Sequence, residues 1–309
     1  LLIMIPAGAL VGIITYALTL GVMTYGGATQ GAEVILHIIS ILSVVFGINV
    51  IINIFYFSND IENLIPLPLK PREIVSAKFA YSLLSENIME FILILGACVG
   101  FMSAKGFSLT GVITSIVGIL TVPIIPLAYC GIISVIFMYF THSVKNRDFL
   151  NKITGIGTAV LIVGALVALV SISGFNPDAI VTSLASADNG FLNVMNFIFP
   201  HIPLMMDSIS SESVYQLLLY LLANVIFVAV FLFLASKMYI KGVSDINTTK
   251  SKRSKSIASQ AVEKSTQKGV FASYLKKEFL ILFRTPPFFM DCIAINLLWP
   301  VFMAGGVFF

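Results

Sequence analysis

Charge is scarce in this chain. Lys and Arg number 18 and Asp and Glu 15 among 309 residues, 11% in all. That is too little to cover a soluble protein of this length, so a soluble fold is excluded. Histidine occurs three times, at His37, His142 and His201, and none stands in a His-Glu-x-x-His context. A zinc protease therefore has no ligand set to start from. No Gly-x-x-x-x-Gly-Lys-Ser/Thr loop occurs, so the chain does not bind ATP by that route. The three cysteines, Cys98, Cys130 and Cys292, lie far apart inside apolar runs. They read as small packing residues, with neither a disulfide framework nor metal-ligand spacing.

What the chain has in quantity is apolar surface. It is 58% hydrophobic, with a mean hydropathy of +1.00. An apolar helix of about 20 residues crosses the roughly 30 Å hydrocarbon core of a bilayer. Runs that meet this length predict an all-α, polytopic transmembrane bundle. The predicted spans cover 1–24, 35–57, 87–104, 109–140, 152–174 and 213–236, with a seventh starting near Phe288. The third helix is expected to begin near Arg72, well before its apolar part, and to project into the cytoplasm. Pro123 and Pro126 are expected to kink the fourth.

The basic residues are placed asymmetrically. Segments 58–81, 141–152 and 237–284 hold 17 of the 18, and the connections on the other side hold only Lys105. Basic loops stay in the cytoplasm, which puts Leu1 at the cytoplasmic side. The outer segment 175–212 carries Asp178, Asp188, Asp207 and Glu212 without a single Lys or Arg. Its apolar middle, Phe191 to Met206, is interrupted by Pro200 and Pro203. It reads as an interfacial or re-entrant helix, or as a loop lying on the headgroups.

The most informative stretch joins spans two and three. Asn59 and Glu62 have capping-box spacing, and Ile61, Leu64 and Ile65 form one apolar helical face. Pro66 ends that short helix. Pro66, Pro68 and Pro71 stiffen the segment leading to span three, and Pro71 with Glu73 suits the start of the next helix. An ordinary proline-rich cytoplasmic turn is the alternative.

The string Phe-Ser-Asn-Asp-Ile-Glu-Asn-Leu-Ile-Pro-Leu-Pro-Leu-Lys-Pro, from Phe57 to Pro71, resembles the corresponding loop in permease subunits of ATP-binding-cassette (ABC) exporters of the type-2 class, in a Gram-positive bacterial branch. In that class the loop carries the coupling helix. The resemblance implies that Asp60, Ile61, Glu62, Leu64, Ile65, Pro66, Pro68, Lys70, Pro71 and Arg72 face a separate cytoplasmic ATPase. ATP and Mg are then expected on that partner, with no cofactor, metal or chemistry on this chain. It further implies a multi-pass protein of the bacterial plasma membrane working by alternating access.

The chain reads as three divisions. Residues 1–240 form a first six-span half, without the helix that would precede it. Residues 241–270 are rich in Ser, Lys and Thr and read as a flexible cytoplasmic linker. Its cluster Lys250, Lys252, Arg253 and Lys255 fits the inside orientation, or contact with anionic lipid. Residues 271–309 read as an inner-leaflet amphipathic helix and the first span of a truncated second half. Tyr274 to Phe289 resembles the elbow helix that opens a type-2 permease half. The chain is expected to be an internal fragment of a longer protein, with the bilayer and the ATPase as partners and no nucleic acid.

Inside the spans, four polar side chains stand out. Glu86 and Glu90 are i, i+4 and share a face of the third helix, as Asn49 and Asn53 do in the second. Intramembrane charges usually face a bundle interior or water. The carboxylates could form a gate or proton-sensitive site, which an ATPase-independent secondary transporter or channel would use. The preferred expectation is that both are shallow enough to reach the interface or a basic neighbour. The asparagines are expected to bridge helices.

Overall fold

A computed structural model describes residues 4–56, 70–140, 181–182, 184–185 and 189–263. The chain divides into two compact units, Leu1–Thr141 with Val160–Val243, and His142–Ala159 with Ser244–Phe309. In the second unit the described residues form only the C-terminal part of one long helix. All other elements belong to the first.

Among the described residues every regular element is a helix, in keeping with the all-α expectation. In chain order they are α1 (Met4–Thr24), α2 (Gln30–Tyr56), α3 (Pro71–Lys105), α4 (Leu109–Thr121), α5 (Ile124–Phe140), α6 (Gly190–Ile198), α7 (His201–Ser211) and α8 (Val214–Glu263). Four spans are long and apolar enough to cross a membrane: Ile5–Thr24, Gln30–Phe55, Leu109–Ile136 and Val214–Met238. A bent α3, turned by 58° between Pro71–Ile88 and Glu90–Lys105, makes a fifth. Predicted spans five and seven, the 59–65 helix and the 274–289 helix lie outside the described residues.

Local chemistry explains the ends. Thr24 donates to the Gly21 carbonyl, and Gly26, with φ +84°, takes the left-handed conformation that closes α1. Pro71 opens α3, and the Lys70 amide donates to Glu73 Oε2 at 2.9 Å. The Ser108 hydroxyl accepts from the Gly111 amide at 3.0 Å and starts α4. Pro123 separates α4 from α5, since it cannot donate to the Ile119 carbonyl. The kink expected there is a true break.

Large apolar side chains such as Ile13, Leu109, Phe197, Leu218 and Phe233 point outward, as a lipid-facing surface requires. The interior gathers Leu36, Ile94, Phe101, Ile125, Ile202 and Tyr220 from five different helices. α1 lies directly on α3 at Gly8 and Gly12 against Gly96 and Gly100. Spacing of small residues by four lets helix backbones approach in this way. Phe231 fixes α8 between Phe55 and Phe79, with ring centroids 6.1 and 4.8 Å away.

Two sequence expectations change here. The outer segment does not lie on the headgroups. His201, Ile202, Met205, Met206, Ser208 and Ile209 of α7 are buried, and the helix packs on α4 and α2. Its apolar face finds a ready-made cavity between the spans. The second change concerns residues 241–263, expected as flexible linker, whose backbone continues α8 to Glu263. The stretch contains no proline and one glycine, so nothing in it stops a helix already nucleated in the span.

Candidate functional site

The bundle interior holds two groups of polar side chains, both at places where helix geometry leaves no room for water.

The first group lies between α2, α3 and α5. Glu86 and Glu90 are 2% and 4% exposed, one helical turn apart on the same face of α3. Gly47 of α2 makes room for Glu86. A β-carbon at that glycine would stand 4.0 Å from Glu86 Oε1, 3.5 Å from Cys130 Sγ and 3.1 Å from Leu127 Cδ1. Ser43, one turn along α2, places its hydroxyl beside the Glu90 carboxylate without completing a bond to it. Cys130 donates to the Val44 carbonyl at 3.3 Å. Both Glu90 oxygens are buried without a hydrogen-bond partner.

Depth is set by α2. Its membrane-crossing part runs from Gln30 to Phe55, and Ser43 sits near its middle. At 1.5 Å per residue, either end is about 18–20 Å away. Glu86 and Glu90 are therefore at mid-bilayer, not at the interface. Nor do they reach a basic neighbour among the described residues. Lys78, two turns toward the cytoplasm, donates to the Ile54 carbonyl at 2.7 Å. The apolar run that begins at 87 understates how much of α3 lies within the bundle. At this depth an ionised carboxylate costs about 2.5–3.5 kcal/mol even on lenient insertion scales.

The second group surrounds the break between α4 and α5. Pro126 has no amide to offer the Val122 carbonyl, and the His201 ring approaches that oxygen without completing a bond. Asn87 donates to the Leu120 carbonyl at 3.3 Å, and Thr121 pairs with the Tyr220 hydroxyl. His37 Nε2 meets Asn196 Oδ1 at 2.7 Å and ties α2 to α6. Thr114 and Ser208 hydroxyls, 3.1 Å apart, join α4 to α7. Lys105, the one outer-side cation seen in the sequence, donates to the Ser210 carbonyl and hydroxyl.

The other sequence candidates divide plainly. Asp60, Ile61, Glu62, Leu64, Ile65, Pro66 and Pro68 lie outside the described residues, as do His142, Asp291 and Cys292. Lys70 and Arg72 are exposed on either side of Pro71. Asn53 donates to the Asn49 carbonyl of its own helix at 2.9 Å. Cys98 and Cys130 are free and buried, as packing residues are. Sequence reading missed Ser43, His37, Asn196 and Tyr220, each a single polar residue within an apolar run. It also missed the paired four-residue glycine spacings at 8/12 and 96/100, which were visible. An apolar groove of about 690 Å³ runs along that glycine seam, lined by Ile5, Ile13, Tyr16, Ile92 and Leu95 among others, and contains no acidic or basic group.

Residues 2–304 match a family whose description reads "membrane protein of 12 TMs". No curated protein and no solved structure matches the chain.

Proposed function

The chain belongs to this family of membrane proteins with 12 transmembrane segments, and on that premise we propose that it is the permease subunit of an ABC exporter. Twelve is twice the six spans read for residues 1–240, which suits a two-half permease. In this reading the protein moves substrate out of the bacterial cytoplasm by alternating access. A separate ATPase binds ATP and Mg and pushes on residues 58–71, and the permease itself catalyses no reaction.

The observation that carries the reading is the junction at Pro71. The loop that resembles a coupling element ends directly on the first residue of α3, where Glu73 caps the chain. From there α3 continues for 35 residues, about 52 Å of helix axis, through Glu86 and Glu90 to the glycine contact with α1. Force applied to the loop thus reaches the middle of the bundle through one element.

The test is the double substitution Leu64→Asp with Ile65→Asp. Insertion and expression should stay near wild type, because both positions lie outside the bilayer. Co-purification of the ATPase should weaken and ATP-driven export into inside-out vesicles should be lost. Wild-type levels of both, in a correctly inserted protein, would remove the central support.

Burial of the two carboxylates favours a second reading, an ATPase-independent secondary transporter or channel working through Glu86 and Glu90. A neighbouring reading frame that encodes an ATPase with a phosphate-binding loop would favour the exporter.

A further inference from the structure

We propose that Glu90, backed by Glu86, is a proton-binding site at mid-bilayer, which keeps its proton in the closed arrangement of the bundle and releases it when the bundle opens to water. Either energy source for transport is compatible with such a site.

The choice of ligand rests on space. Each Glu90 oxygen is sealed from a water-sized probe and has no donor within hydrogen-bond distance. A hard metal cation takes six or more oxygens, usually with water completing the shell. Here the oxygens at hand are two carboxylates and the Ser43 hydroxyl, and water cannot reach Glu90. Among the described residues no three metal-ligating side chains come together. A substrate molecule needs still more room. A proton needs none.

The surroundings agree from every described side. α3 contributes Glu86 and Glu90, two like charges one turn apart that disfavour ionising together. α2 contributes Ser43 and Gly47, and α5 contributes Leu127 and Cys130, whose thiol is committed to the Val44 carbonyl. None of these is a cation. Ser43 is fully buried and its oxygen is unpartnered, so an acid O–H on Glu90 would have an acceptor waiting. Release is a simple acid dissociation: the O–H bond of the carboxylic acid breaks and the proton passes to water. Glu86 stands one turn nearer the cytoplasmic end of α3, which makes it the first acceptor on that side.

The experiment is infrared spectroscopy of the full-length protein in lipid vesicles. At neutral pH the wild type should show the C=O stretch of a protonated carboxylic acid. Glu90→Gln should lose one carboxyl's worth of that band, and Glu86→Gln should retain Glu90's contribution. Exchange of the acid proton for deuterium should be slow at rest and faster during turnover. Loss of ionised carboxylate bands in Glu90→Gln, with the acid band unchanged, would overturn the proposal. So would a wild-type spectrum without any acid band at neutral pH, which needs no variant to fold. Neither readout involves the ATPase, so the coupling test stands or falls separately.

Discussion

Gly96 of α3 meets Gly8 of α1 backbone to backbone. A β-carbon on Gly96 would overlap the Gly8 carbonyl oxygen, and one on Gly12 would stand 3.1 Å from the Gly96 carbonyl oxygen. Gly100 repeats the relationship with Gly12 one turn on.

Gly100→Val should therefore push α1 from α3. Overpacking of this kind costs about 1–3 kcal/mol, and here the obstacle is backbone, which cannot rotate away. Thermal unfolding in detergent should show a lowered midpoint. Gly190→Ala is the control: nothing lies within 4 Å of its added methyl, so its midpoint should stay at or above wild type.

Asn196→Leu should loosen the outer hairpin of α6 and α7. It removes the partner of His37 Nε2 and leaves a buried imidazole with neither nitrogen bonded. Such a loss costs about 1–3 kcal/mol. A cysteine placed at the fully buried Met205 should then react with a thiol reagent about 5–150-fold faster.

Asp207, on α7, gives a pH signature. Partial burial raises its pKa and the charge of Lys105 opposes the rise. An acid with a raised folded-state pKa holds its proton more tightly when folded. Its contribution to stability is therefore greatest below the unfolded value and falls as pH rises through the folded one. Unfolding measured across the mildly acidic range should show that decline in the wild type, and Asp207→Asn should flatten it. A steeper decline in the variant would contradict the assignment.

Sidedness can be checked with single cysteines at Ser183 and Ser251 in a background lacking Cys98, Cys130 and Cys292. The basic asymmetry predicts that an impermeant reagent labels only position 183 from outside intact cells. Equal labelling would refute the orientation.

The span pattern was legible because it depends on run length alone. The break at Pro123 and the α3 start at Pro71 were legible because proline acts on its own neighbours. Lateral relationships were not. α1 and α2 are apolar all round, so no amphipathic stripe says which face turns inward. His37 and Asn196 are 159 positions apart, and nothing local connects them. The depth of Glu90 was misjudged for the same reason, since depth was counted along its own helix and only Ser43 and Gly47 of α2 reveal it.

The interruption at Val122 and Pro123 has a mechanical consequence. A continuous helix resists bending with a ladder of bonds between its own peptide groups. At this joint that ladder is already absent, and Asn87, Thr121 with Tyr220, and the approach of His201 take its place from three other elements. Each such side-chain bond is worth about 0.5–1.5 kcal/mol and can be re-made with a new partner after a rotation. The fourth span can therefore swing its cytoplasmic arm by exchanging partners one at a time, while both arms stay fully helical.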